Sequence, residues 1–335
     1  MQKPAAVSYA VFALLLVLVA ALHLATPFIA ALFCYLALRK LAFFGRKWIA
    51  ITLFVILLIG GFCGFVFFLK RALVVLPEIV ETAIPVVVKY AEHHGIELPF
   101  TDMDSLRAVA LETVRSTLGD LGNYVKVATK EFLFLVVGIV VAVGVFVNPD
   151  FEPERHQGSK LNLYSFYTGW IRKRFASFYK SFETVISAQL IISAINSVLT
   201  AIFVFATGIR YAGVLIVLTF VCGLLPIVGN VISNTVIIGL AFTVSPKMAA
   251  AALVFLLVIH KLEYFLNSRI IGGRIHHPMW LMLLALIIGE RLMGISGIIL
   301  APVILSFIKV EMGKIPVLEP GAQSRPVTRR EFANV

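Results

Sequence analysis

Gln189, Asn196, Asn230, Asn234, His260, Glu263, Asn267 and Glu290 lie in or beside long apolar runs of this chain. Amides and carboxylates are costly in hydrocarbon, so such positions are candidates for binding or proton carriage. Gln189 and Asn196 are seven residues apart on one helical face, a spacing that equally suits hydrogen bonds between membrane helices. Glu263 has His260 three residues before it and Asn267 four after it on the same face. Two readings of Glu263 stay open: a carboxyl that takes up and releases a proton, or half of a permanent ion pair with Arg269. Glu290 adjoins Arg291 between two apolar runs, where a coupling acid and an interfacial anchor are both open.

Other chemistries lack a component. The His260–Glu263 spacing, even with His276 and His277 nearby, does not make the His-Glu-x-x-His pattern of zinc hydrolases, and no metal is expected. The segment Gly294 to Gly297, with Ser296 inside it, is similar to the nucleophile segment of rhomboid proteases. A serine nucleophile needs a base, which in rhomboids comes from a later helix, and no histidine follows His277. GxxxxGK[ST] does not occur, which excludes phosphate binding of the P-loop kind. No cofactor is expected, and the chain is not read as an enzyme.

The elements that position these groups are unusual for a membrane segment. The stretch GLLPIVGNVISNTVIIG from Gly223 to Gly239 carries Pro226, Gly229, Asn230 and Asn234 near its middle. Pro226 has no N–H to donate and Gly229 frees the backbone, so the helix is expected to break there. A broken helix inside a membrane survives where protein or a cavity surrounds it, and it presents helix ends and free carbonyls to that cavity. Pro226, Gly229, Asn230 and Asn234 are therefore expected to line a site for a small polar solute or a monovalent cation.

The composition supports that setting. Of 335 residues, 60% are hydrophobic and only 14% charged, with a mean hydropathy of +0.97. Soluble domains carry about 25% charged residues, so the chain reads as an all-α polytopic membrane protein. Long continuous runs favour helices over the weak alternation of a β-barrel. Apolar segments fall near 6–22, 24–38, 48–69, 131–147, 184–207, 211–228, 230–244, 248–266, 278–289 and 293–310. This suggests about 8 transmembrane helices, with the short segments 24–38, 230–244 and 278–289 as broken or re-entrant elements. The first segment is read as an uncleaved helix rather than a signal peptide.

The net charge of +11 concentrates in short loops: Arg39 to Lys47, the stretch 148–182, Arg269 to Arg274, and the tail from Lys309. These clusters are expected to put both termini in the cytoplasm. Nucleic acid is not an expected partner. Cys34, Cys63 and Cys222 show no paired spacing and read as core filler.

The expected organisation is N-terminal transmembrane helices over 1–70, then an extracytoplasmic amphipathic helical region over 71–130. A membrane helix followed by an interfacial amphipathic helix occupies 131–183. A transport core spans 184–312, and a disordered cytoplasmic tail occupies 313–335. In 101–128, Leu106, Ala110, Val114, Leu118, Leu121 and Val125 share one face, suited to packing or oligomer contact. In 163–183, Ile171, Phe175, Phe178 and Phe182 share a face while Arg172, Lys173, Arg174 and Lys180 sit among polar positions, suited to the inner membrane surface.

The order of elements resembles the autoinducer-2 exporter family, also called PerM-like permeases. The matching positions are the Pro226 and Gly229 break, Glu263 with Arg269, His277 with Pro278, Gly294 with Gly297, and Pro302. The chain departs from the family pattern at Glu290, where a glycine is common, and at Asn230. The resemblance implies a secondary transporter that exports a small polar solute of the autoinducer-2 kind by alternating access. Some members of that family are sodium–proton antiporters, so a cation–proton antiporter is the alternative; a non-transporting scaffold is the rival outside transport. Gln189, Asn196, Pro226, Gly229, Asn230, Asn234, Glu263 and Asn267 are the expected binding residues, with Glu263 and Glu290 as coupling candidates. Membrane lipid and further copies of the chain are the expected partners.

Overall fold

A computed structural model describes residues 3–93, 95, 121–148, 163–226, 228–270 and 278–315. The segment 101–120 of the amphipathic region, His276, His277 and the tail beyond residue 315 lie outside the described residues. Within them the chain is helical throughout: α1 Lys3–Ala21, α2 Ala25–Leu41, α3 Lys47–His93, α4 Leu121–Val147, α5 Leu163–Thr207, α6 Ala212–Gly223, α7 Val228–Val244, α8 Pro246–Ile270 and α9 Met279–Met312. Without water to bond, backbone groups in such apolar runs must pair within their own segment, and the helix does that.

Four helical stretches are long and apolar enough to cross a membrane: Lys47–Ala72, Thr129–Val147, Phe166–Thr207 and Trp280–Met312. Of the remaining helices, α6 and α7 are short and α1 with α2 forms a bent pair, so 24–38 and 230–244 are interrupted as expected, whereas 278–289 lies within a long stretch and α6 is shorter than expected. α1 and α2 meet at an angle of 117°. The end of α1 is closed by Leu24 N–H donating to Val19 O and His23 N–H donating to Ala20 O, with His23 at φ 54° where glycine is the usual residue.

The last of the four stretches is not straight. Gly294 has φ 60° and ψ −141°, a conformation open to glycine. Gly289 and Gly297 then touch backbone to backbone: a Cβ on Gly289 would lie 2.5 Å from Gly297 O. Eight residues of straight helix would hold those two positions about 12 Å apart. α9 is therefore two arms, 279–293 and 295–312, folded back on each other. Glycine at the turn and at the contact is what the reversal requires, and this gives the Gly294 to Gly297 segment a conformational role.

Three apolar clusters organise the packing. One joins α3 (Ala72, Val75), the end of α5 (Val204), α6 (Leu215), α7 (Ile237, Leu240) and α8 (Ala252, Leu256). A second joins α1 (Phe12), α2 (Ile29, Leu36), the first half of α5 (Phe178, Phe182, Ile186) and the second arm of α9 (Leu300, Val303, Phe307). The third ties α2 (Cys34, Leu38) to α3 (Phe54) and α4 (Ala142).

α5 differs from expectation. Residues 163–183 were expected as a separate interfacial helix, yet they run without a break into the membrane helix. Phe178 and Phe182 are in phase with Val185 and Ile186, so one buried stripe passes through the expected boundary.

Arg39, Lys40, Lys47, Arg174 and Lys314 make polar contacts near the start of α5 and the ends of α2, α4 and α9. Lys47 Nζ donates to Val147 O at 2.8 Å, and Lys40 Nζ lies 3.0 Å from the Glu183 carboxylate. Arg174 is buried, against the expectation that it would sit at a polar surface. Its Nη1 donates to Tyr9 Oη at 2.7 Å and to Glu311, and its Nε donates to Ser8 Oγ at 3.2 Å. Tyr9 Oη donates to Glu311 at 2.8 Å, and Ser177 and Lys314 donate to its other oxygen. This cluster pins α1, α5 and α9 together.

Candidate functional site

The break between α6 and α7 is held from α5. The last four carbonyls of a helix have no partner within it. Gln189 Nε2 donates to Gly223 O at 2.5 Å, and Ser193 Oγ donates to Phe220 O at 2.6 Å. Two of the carbonyls that end α6 are thereby satisfied by side chains of α5. Pro226 lies in the turn that follows, where Leu225 N–H donates to Cys222 O at 2.9 Å and Gly229 N–H donates to Leu225 O at 3.1 Å. Gly229 is buried so close to the end of α6 that an added Cβ would stand 1.6 Å from Cys222 O. The proline and glycine therefore shape the break, and Gln189 supports it; these three build the wall of the site.

Behind the break lies a small polar pocket between α5, α6, α7 and α8. Asn196 and Thr200 of α5, Thr219 of α6, Asn230, Ser233 and Asn234 of α7, and His260 and Glu263 of α8 line it, with Leu256 and Ile259 as its apolar side. Asn230 Nδ2 donates to Glu263 Oε2 at 2.7 Å, joining α7 to α8. Thr219 Oγ1 donates back to Leu215 O at 2.8 Å, and Ser233 Oγ donates to Asn230 O at 3.3 Å. Hydroxyls bonded to their own helix retain oxygen lone pairs for another group. Asn196 is 4% exposed, and its Oδ1 is buried with no hydrogen-bond partner among the described residues. A buried polar atom without a partner costs about 1–3 kcal/mol, so one retained beside a polar void is a candidate ligand atom. The void measures about 10 Å³. That is room for one water or one bare monovalent ion.

The pocket gathers four of the expected binding residues: Asn196, Asn230, Asn234 and Glu263. Asn267 is one turn further along α8, and its side chain, like that of Arg269, lies outside the described residues. Glu290 stands apart. It is exposed near the turn of α9, 3.8 Å from Arg291, and does not line the pocket. Thr200, Thr219 and Ser233 are the lining residues that sequence reasoning missed. A signal was present for two of them, since Thr200 is four residues from Asn196 and Ser233 three from Asn230, each on the face of its amide.

Long apolar helices, short helices interrupted within the apolar zone, and a polar pocket at the interruption define a multi-pass helical membrane protein. The chain belongs to the AI-2E family of transporters, whose family model matches residues 7–316. It is also similar to YdbI of Bacillus subtilis (strain 168), whose name proposes a role in transport and no solute. That similarity is 26% identity over 237 residues, 66% of this chain and 65% of the relative.

Proposed function

We propose that the protein is a secondary transporter of the bacterial inner membrane that exports a small polar solute by alternating access. In this reading Arg39, Lys40, Lys47 and Lys314 face the cytoplasm, because basic residues mark the inner side. The pocket between α5 and α8 is the transport site, and Glu263 is its proton-carrying group. One observation carries the reading: the unpartnered Asn196 Oδ1 lies in the same polar void as the Asn230–Glu263 bond. Among the described residues Glu263 is held by a neutral amide and by no cation, and an acid so held can change protonation without leaving a buried charge of opposite sign behind.

The size of the void favours a second reading, a cation–proton antiporter. At about 10 Å³ it fits a monovalent cation and is far too small for a sugar-sized solute. Under the first reading the void must widen as the helices move.

The experiment uses purified protein in liposomes, a panel of small polar solutes and monovalent cations, and imposed proton and sodium gradients. Export of a solute driven by the proton gradient supports the first reading, and sodium movement alone supports the second. Glu263→Gln keeps the shape and removes the titration. It is expected to abolish proton-driven accumulation while leaving solute exchange intact. Loss of exchange and accumulation together makes Glu263 a structural residue, and a protein that moves nothing under any gradient is a scaffold.

A further inference from the structure

The apolar clusters divide the helices into two bodies that share little. Among the described residues, α6, α7 and α8 pack principally on each other, on α3 and on α5. α1, α2, α4 and α9 pack on each other and on the opposite ends of those same two helices. α3 reaches the second body through Ile51, Phe54 and Leu58, and the first through Phe68, Ala72 and Val75. Between them, residues 59–65 are all exposed, two turns of helix with no face buried in the protein. Three of those seven residues are Gly60, Gly61 and Gly64, and a Cβ added at any of them would meet nothing within 4 Å. Glycine with no close neighbour weakens a helix without providing a packing contact in return.

α5 shows the same division. Its packing in the second body ends near Ile186 and Leu190, and it joins the first through Gln189 and Ser193, which donate to the end of α6, and further along through Phe203 and Val204. The buried face between them carries Ser193, Asn196, Ser197 and Thr200. Ser197 Oγ donates to Ser193 O at 2.9 Å, a back-bond within the helix that loosens and bends it.

We propose that α6, α7 and α8, with the part of α5 tied to them from Gln189 on, move as one body against α1, α2, α4 and α9 about a hinge at Gly60–Gly64 in α3. The proposal rests on the transporter reading for its purpose, since the motion would open the pocket first to one side and then to the other. The Arg174–Glu311 cluster and the Glu183 pairs with Arg39 and Lys40 hold the start of α5 to the second body during the motion.

The first test is the triple variant Gly60→Ala, Gly61→Ala and Gly64→Ala, in which nothing clashes and the helix stiffens. Transport is expected to slow by about fivefold or more, with half-saturation unchanged within about twofold and thermal stability equal or higher, because the step affected is the conformational one. Wild-type rates in that variant overturn the hinge in α3. The second test does not depend on finding a solute, or on the triple variant folding. With Cys34, Cys63 and Cys222 replaced by alanine, spin labels at Leu18 in α1 and Val231 in α7 report between the bodies, and labels at Val231 and Leu253 in α8 report within one. In liposomes the first pair should show two distance populations whose ratio shifts with an imposed proton or sodium gradient, while the second pair shows one. A single unchanging distance for both pairs overturns the proposal even where transport is seen. Two populations in a protein that moves no solute sink the transporter reading and leave the hinge standing.

Discussion

Glu311 and Glu263 are both drawn inward by the helices that carry them, and their surroundings are built to different rules. Glu311 is 4% exposed at its side chain and accepts from Tyr9, Arg174, Ser177 and Lys314. Glu263 accepts from Asn230 Nδ2 and borders a void where Asn196 Oδ1 has no partner among the described residues. A carboxylate whose lone pairs are all engaged, with cations on it, acts as a staple between helices. A carboxylate with one neutral donor and a water-sized space beside it keeps capacity for a guest. The difference teaches how a chain this apolar can hold two kinds of buried polar group: saturated ones where helices must stay together, and under-satisfied ones where something must bind and leave.

Four substitutions are chosen to break or sharpen that contrast. Arg174→Ala removes one of the four donors of the Glu311 carboxylate and one of its two cations, and should cost about 3–5 kcal/mol. Thermal unfolding in detergent measures it, and a melt equal to wild type would mean that the cluster holds nothing together. Gly229→Ala pushes a methyl group into the end of α6, with a backbone oxygen rather than a flexible side chain in its way. A loss of about 2–3 kcal/mol is expected from such overpacking, together with slower transport. Asn196→Leu removes an amide that has an unpartnered oxygen, so stability should stay within about 1 kcal/mol of wild type while transport falls strongly. If transport survives, the void beside Glu263 is a packing defect and the contrast collapses. Glu290→Gln disturbs a pair whose side chains are 54% and 85% exposed, and should change stability by less than about 0.5 kcal/mol.

Much of this was legible in the residue order. Pro226 and Gly229 announce the break through backbone chemistry alone, because one removes a donor and the other permits close approach. Asn230, Asn234 and Glu263 stood out because polar groups in apolar runs have few cheap explanations. Arg174 was misplaced for a physical reason: helical periodicity ranks a residue by its own neighbours along the chain. It cannot see that Tyr9 and Glu311, 165 and 137 positions away, will meet the guanidinium. Thr219 and Ser233 were passed over because a hydroxyl that bonds its own helix is tolerated almost anywhere in a membrane segment. The role of Gly294 was hidden by composition, since a reversal and a straight helix use the same apolar residues on either side of one glycine.

That reversal has a consequence for how the chain is counted across a membrane. A hydropathy trace reads Trp280–Met312 as one crossing and so assigns the two flanks of α9 to opposite compartments. Folded at Gly294, the same stretch returns to the compartment it left, with arms of about 22 and 27 Å that each fall short of a 30 Å core. Parity changes by one. A reporter enzyme fused after Met312 should therefore give the same signal as one inserted in the loop before Pro278. A Gly294→Val chain, in which a β-branched residue resists that backbone conformation, should drive part of the population through the bilayer and invert the reporter at the C-terminal flank.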